Sequence, residues 1–316
     1  MPENPIGSTI LVIGATGRHG GTGRTVVDGV LARQRNVRVL ARADDERTAA
    51  LRERGASVVI GDLHDRNTLH AAVDGVAAIY LAYPIAAGIV SAAANIASVL
   101  VEADQSPHVV VMSMAVSSHQ SPSMLGQAQA VAEEVLMWAG LNPTILRIAA
   151  LFHENVVILH GRSIRQQSII ANSFGDARAP WIAARDAAEL AIHHLLNDAP
   201  RTATVSYPPG AEALSHREIA EIISAETGRV VTYQPIPYEQ WKHAMERDAV
   251  VNGLDVVNSA MAQHISIIGA GFANGKAPTI HPDPQALTAM LGRPPLTFSQ
   301  FVRERIGDFT DGVKQG

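Results

Sequence analysis

The chain has 316 residues, 47% of them hydrophobic and 17% charged, the composition of a globular protein with an ample core and one large or two intertwined domains. A net charge of −5 with scattered basic residues leaves no electrostatic footprint for nucleic acid. The absence of cysteine excludes disulfides, thiol catalysis and cysteine-held metal, and says little about compartment.

Eight mostly polar or small residues precede the first apolar run, so no signal peptide is expected and a cytoplasmic location is. That run, Thr9–Ile13, reads as a strand buried on both faces. Glycines follow at Gly14, Gly17 and Gly20, with Gly21 and Gly23 just behind, and Val26, Val27, Val30 and Leu31 then mark one apolar stripe of a helix. Strand, glycine-rich turn and helix together read as a dinucleotide site. Without Cβ atoms the turn lets a pyrophosphate lie against the backbone, at the positive end of the helix dipole.

Val37–Ala41 reads as the second strand, Glu46–Arg54 as a helix and Ser57–Ile60 as the third strand, ending in Gly61-Asp62-Leu63. A short helix is expected around Arg66–Val73. From Gly75 to Val101 there is no charged residue, long enough to raise a membrane span. Pro84, Ser91, Asn95 and Ser98 interrupt it, so it reads as a buried strand (Ala77–Ala82) and an alanine-rich helix (about Gly88–Ala103), with no membrane contact. His108–Met112, helix Gln127–Ala139 and strand Thr144–Arg147 complete a βαβ alternation. The fold class is therefore α/β: a doubly wound parallel sheet of the Rossmann kind, with helices on both faces.

Beyond Ala149 the alternation loosens. Leu151–Ser173 is mixed, Asp186–Glu189 reads as a capping box, and Val205–Tyr207 as a strand returning to the sheet. A second capping box at Ser215–Glu218 opens a helix closed by Gly228; helices follow around Tyr238–Val251 and Asp255–Ile268. A glycine-rich loop (Gly269–Gly275), a cap at Asp283-Pro284 and a last helix capped at Thr297 complete the chain. Residues 1–150, with 181–208 returning to them, are expected to form the nucleotide-binding domain. Residues 151–180 and 209–316 are expected to form a smaller, mostly helical substrate-side lobe.

The coenzyme's identity is decided after the second strand, where an acid would hold the ribose 2′-hydroxyl of NAD and an arginine the 2′-phosphate of NADP. Arg42 stands there, Arg18 lies in the glycine turn, and Asp44 and Asp45 follow; NADP is favoured over NAD. Asp62, ending the third strand, is placed to bond adenine or to cap the next helix.

These features resemble the NmrA-like group of atypical short-chain dehydrogenases/reductases. The resemblance rests on GATGRHG (Gly14–Gly20), LAR ending in Arg42, GDLHD (Gly61–Asp65), AGLNPTILR (Ala139–Arg147) with the following ALFHENV, WIAARDAAELA (Trp181–Ala191) and LGRPPLTFSQF. It implies NAD(P) binding and a substrate cleft between lobes, in a group that includes quinone and triphenylmethane-dye reductases and nucleotide-sensing regulators. The candidate coenzyme residues are Gly14, Thr16, Gly17, Arg18, His19, Gly20, Arg42, Asp62, Leu63, Ala82, Tyr83, Gln129 and Ala149. The HGGTG segment makes the glycine turn, or the start of its helix, about three residues longer than usual for the group.

The Tyr-x-x-x-Lys pair of ordinary short-chain dehydrogenases is missing. Counting back from Gly140 puts Leu125 and Gln129 at its positions, and the only lysines are Lys242, Lys276 and Lys314. Tyr238 and Lys242 match the pattern but open a helix beyond the nucleotide domain, where i and i+4 residues simply share a face. Ser113, His119 and His153 are the remaining catalytic candidates, histidine being able to donate a proton near neutral pH. Tyr83, His119, His153 and Asn155 are candidates for lining a substrate pocket. No HExxH or carboxylate cluster suggests a metal. Three functions stay open: an NADPH-dependent reductase of a small apolar conjugated or carbonyl substrate, an NAD(P)-sensing regulator without catalysis, and a non-redox cyclase or isomerase. Homo-oligomerisation or a regulatory protein partner also stays open.

Overall fold

A computed structural model of the chain describes residues 8–17, 21–197, 202–252, 257–277 and 281–310. In chain order the elements run β1 (Thr9–Ile13), α1 (Thr22–Ala32), β2 (Asn36–Ala41), α2 (Glu46–Glu53), β3 (Ser57–Ile60), α3 (His70–Val73), β4 (Val76–Leu81), α4 (Ile89–Glu102), β5 (His108–Met114), α5 (Met124–Trp138) and β6 (Thr144–Ile148). They continue with β7 (Leu151–Phe152), α6 (Glu154–Gln167), β8 (Ile169–Asn172), β9 (Ala179–Ile182), α7 (Ala184–Leu196), β10 (Thr204–Ser206), β11 (Glu212–Leu214), α8 (His216–Thr227), β12 (Thr232–Pro235), α9 (Tyr238–Asn252), α10 (Ser259–Ala273), α11 (Pro284–Leu291) and α12 (Phe298–Glu304).

The β-branched runs that predict strands become the interior of a seven-stranded parallel sheet, ordered β10-β6-β5-β4-β1-β2-β3. Ile10, Leu11 and Val12 of β1 are fully buried, as a strand covered by helices on both faces must be. β1 pairs with β2 (Ile10↔Val37) on one side and with β4 (Ile10↔Ala78) on the other. The chain order therefore reverses across β1 and β4, and in such sheets ligands bind outside the carboxyl ends of the strands at the reversal. Thr204–Ser206 returns to the edge alongside β6 (Val205↔Ile145). No described helix is long and apolar enough to cross a membrane; the uncharged stretch is divided between β4 and α4.

The chain divides into two compact units. One takes the residues up to Ser121, Leu125–Ile148 and Ala187–Tyr207; the other takes Pro122–Met124, Ala149–Asp186 and the chain from Pro208 on. The second unit holds a three-stranded sheet ordered β11-β9-β7, a parallel pair β12-β8, and helices. Trp181, Ile219, Phe298 and Phe301 are among its core residues.

Two local expectations are corrected in this unit. Asp186 does not cap a helix: α7 starts two residues earlier, and the buried Asp186 carboxylate instead accepts from Leu296 N at 2.7 Å and pairs with Arg293 at 2.7 Å. The glycine-rich loop at Gly269–Gly275 is mostly helix, since α10 runs to Ala273. A Cβ on Gly269 would stand 2.6 Å from Ser173 Oγ and 2.9 Å from the Phe174 ring, so this glycine serves close packing inside a helix. The expected start of that helix at Asp255 lies outside the described residues; α10 begins at Ser259, capped by Asn258.

Candidate coenzyme site

The site is built on the first strand and its turn. Gly14 sits at φ +99°, and a Cβ there would lie 2.5 Å from the Ala82 carbonyl oxygen. Gly17 N closes the turn on Gly14 O at 3.2 Å. Gly21 adopts a left-handed conformation as N-cap of α1, which has no side-chain cap and no acid in its first turn. Its leading N–H groups are thus left for an anion at the positive end of the helix.

The glycine that packs helix against strand is Gly23, whose Cβ would fall 2.6 Å from Gly14 O and 2.7 Å from Gly14 C. Spacing had pointed to Gly20 for the third place in the motif. Gly20 lies outside the described residues, as do Arg18 and His19. The close-packing role falls three residues later because α1 begins only at Thr22. Gly23 was visible in the sequence; where the helix starts was not.

At the end of β2, Arg42 is exposed and makes no hydrogen bond or ion pair among the described residues. The two aspartates beyond it are otherwise engaged. Asp44 pairs with Arg52 at 2.6 Å and accepts from Thr48 Oγ1 at 2.9 Å, bonds that hold its carboxyl below the usual range. Asp45 caps α2 and binds Arg47, chiefly through which its carboxyl is likewise lowered. Arg47 also donates to Thr16 O at 3.1 Å, tying the glycine turn to α2, a contact the sequence did not disclose.

After β3, Asp62 Oδ1 accepts from His64 N at 2.9 Å, and Leu63 O takes the Asn95 amide at 2.8 Å. After β4, Ala82 N extends the ladder to Ile13 O at 3.2 Å. Tyr83 turns toward His64, with Oη 2.8 Å from Nε2. Gly14, Thr16, Gly17, Arg42, Asp62, Leu63, Ala82 and Tyr83 therefore all stand at the carboxyl ends of β1–β4 or in the turns that follow.

Toward the other side of the same sheet, Ser113 on β5 is the register neighbour of Arg147 on β6. Ser113 Oγ donates to Glu133 Oε1, while Arg147 Nε and Nη2 bind Glu133 Oε2 at 3.0 and 2.6 Å. Arg147 Nη1 reaches Tyr207 Oη at 2.7 Å, and Ser117 Oγ lies 3.1 Å from Ser113 Oγ. A carboxylate can only accept, so the single Ser113 hydrogen is committed to Glu133, and Ser117 must be the donor to Ser113. Glu133 lies one turn beyond Gln129 on α5, and Leu125, Gln129 and Glu133 are all buried. This network was missed in the sequence because it joins three elements.

Neither histidine candidate joins this network. His119 is mostly exposed and bound to Glu134 Oε1 at 2.7 Å; Glu134 neighbours the buried Glu133 but faces outward, which draws His119 to the outer side of α5. His153 belongs to the second unit and is fully buried against Phe298 and Phe301, each ring centroid 5.4 Å away. Neither ring nitrogen has a hydrogen-bond partner. Burial, helped by the charge of Arg185, brings its pKa down to about 3, so it is a neutral core ring and no proton donor near pH 7. Asn155 sits in the first turn of α6, half-buried. Ala149 bridges to Pro209, its N donating to Pro208 O at 2.9 Å; both belong to the second unit. Tyr238 opens α9 beside Glu239, which holds its hydroxyl pKa up. Among the described residues no group of three or more histidine or acidic side chains is disposed to hold a metal.

The residues fit a dinucleotide on these observations: a backbone with no room for Cβ atoms at Gly14 and Gly23, a helix start without a side-chain cap, and an exposed arginine after β2 with no partner among the described residues.

Comparison with known proteins bears on the same stretch. The model of the NmrA-like family matches residues 7–269. The chain is 28% identical over 307 residues to an NAD(P)H azoreductase of Xenophilus azovorans, covering 95% of this chain and 99% of that one. Its fold is similar to an NADPH-dependent quinone oxidoreductase of Escherichia coli solved with NADPH (TM-score 0.76, 20% identity, 94% and 99% of the two chains). It is also similar to the triphenylmethane reductase of Citrobacter sp. solved with NADP(H) (TM-score 0.74, 20% identity, 94% and 99%).

Proposed function

The chain belongs to the NmrA-like family, and from that premise we propose that it is an NADPH-dependent reductase of apolar, conjugated electron acceptors, of the quinone or azo-dye kind. NADPH, when bound, supplies a hydride from its nicotinamide ring. The chain's own part is to bind, orient and exclude water.

The glycine turn and the start of α1 would hold the pyrophosphate, Arg42 the 2′-phosphate, and Asp62 and Ala82 the adenine end. The resemblance of 28% to an NAD(P)H azoreductase along almost the whole chain supports the coenzyme and the acceptor class together.

The observation that carries the acceptor class is the direction of the hydroxyl hydrogens. Ser117 donates to Ser113, and Ser113 to a carboxylate already gripped by Arg147. Both hydrogens are thus taken up within this network. With Leu125 and Gln129 where a tyrosine and lysine would stand, β5 and α5 offer no tuned general acid. Azo dyes enter through the likeness to the azoreductase alone, whereas quinones suit such a site by their chemistry, because the hydroquinone anion left by hydride transfer is a weak base that persists until water protonates it. An isolated ketone does not, since its alkoxide must be protonated as it forms.

The test is loss of reduced-nicotinamide absorbance on mixing NADPH with quinones, azo dyes and simple ketones. Oxidation with the first two and none with ketones is expected. Tight NADPH binding with no turnover against any acceptor would overturn the reductase and leave a nucleotide sensor.

A further inference from the structure

The turn after β3 and the loop after β4 are joined by a chain of side-chain hydrogen bonds with no part in the chemistry above. His64 Nε2 lies 2.8 Å from Tyr83 Oη, and Tyr83 Oη donates to Ala87 O at 3.0 Å. Because the phenol hydrogen goes to Ala87, the hydrogen in the His64–Tyr83 contact belongs to Nε2. On its other side, His64 Nδ1 is 3.1 Å from Ser91 Oγ at the start of α4; the Ser91 hydroxyl hydrogen goes to Gly88 O at 2.9 Å, so this is a contact and not a further link of the chain. The His64 main chain is fixed in turn by Asp62, whose Oδ1 accepts its N–H. The two rings meet edge to face at 89°.

Gly88 makes this closure possible. At φ +106°, a Cβ there would stand 2.7 Å from His64 Cε1 and 2.8 Å from Tyr83 Oη. The imidazole and the phenol thus meet over bare backbone. The charge of Arg42 acts on the Tyr83 phenol, partly opposing the burial that raises its pKa.

We propose that His64 and Tyr83 are positioning residues for the coenzyme: their hydrogen bond locks the turn bearing Asp62 to the loop bearing Ala82 and so sets the shape of the adenosine subsite. This rests on the coenzyme reading above. The lock acts on the adenosine that NADPH and NADH share, whereas Arg42 acts on the 2′-phosphate alone. Its bonds are partly exposed, so each contributes modestly and the lock is breakable.

The experiment is calorimetric titration of the full chain with NADPH and with NADH, together with kcat at saturating coenzyme and Tm. Tyr83→Phe and His64→Leu are each expected to raise both Kd values about tenfold, the loss of one or two such bonds. His64→Gln, whose amide can still donate to Tyr83, recovers most of the affinity. Unchanged Kd values, a loss confined to kcat, a loss for NADPH alone, or a Tyr83→Phe protein that fails to fold would each overturn the proposal. If the unmutated chain binds neither nucleotide, the coenzyme reading fails, and this inference with it.

Discussion

Arg147 grips one oxygen of Glu133 with two of its nitrogens, at 2.6 and 3.0 Å, while the other oxygen takes the Ser113 hydroxyl. The Glu133 side chain has no exposed surface, so the pair is charge-balanced inside the sheet–helix interface beside the site. Removing one partner of such a pair leaves an uncompensated buried charge, which costs about 3–5 kcal/mol.

Glu133→Gln is therefore expected to lower Tm by many degrees and to free the Ser113 hydroxyl. Denaturant unfolding checks the first. A double change, Glu133→Gln with Arg147→Met, recovers part of the stability because no charge is then left alone. Equal losses in single and double variants would contradict the pairing.

The close approach at Gly23 has a direct test. Gly23→Ala puts a methyl group within 2.6–2.8 Å of Gly14 and Ala15 backbone atoms, where nothing can shift aside. It is expected to abolish NADPH binding or the fold, as read by calorimetry and Tm.

Arg42→Ala is expected to weaken NADPH by roughly tenfold to a hundredfold, the range for a lost charge-assisted bond, and to leave NADH nearly unchanged. Kd values for the two coenzymes check it. Equal weakening would assign Arg42 no role in selecting NADPH.

Two sets of buried groups in the second unit should make its stability depend on pH in opposite senses, a carboxyl that loses it as pH rises to about 7 and histidines that lose it as pH falls below 6.5. Burial raises the Glu154 carboxyl from 4.5 to about 7. A raised folded pKa contributes stability that is full below 4.5 and is lost as pH rises through about 7. Burial lowers His153 to about 3 and His160 and His264 to about 4. Depressed folded values contribute stability that is full above 6.5 and is lost as pH falls toward 4 and 3. Glu154→Gln is expected to raise Tm on the alkaline side by up to roughly 3 kcal/mol of stability, and His153→Phe to flatten the acid limb. Parallel profiles for variants and parent would contradict this.

Much of the nucleotide half was legible in the sequence because its signals are local. A β-branched run followed by glycines and an apolar stripe predicts β1, the turn and α1 from adjacent residues. Arg42 is located by the end of one strand. The sequence was less informative wherever a role depends on tertiary contact. Nothing local distinguishes His153, a buried ring between phenylalanines, from a histidine in a cleft. The Glu133–Arg147 pair, the His64–Tyr83 lock and the Asp186 anchor each join separate elements. Gly269 looks like a loop residue until Phe174 is seen against it.

The most direct test is kcat with a quinone acceptor at saturating NADPH, compared between the parent chain and Ser113→Ala across about pH 6–9, the range in which a general acid would titrate. Turnover is expected in both, within about twofold of each other and without a pH limb that the substitution removes. A fall of a hundredfold or more in Ser113→Ala, with NADPH affinity unchanged, would show that the serine supplies the proton and would contradict it.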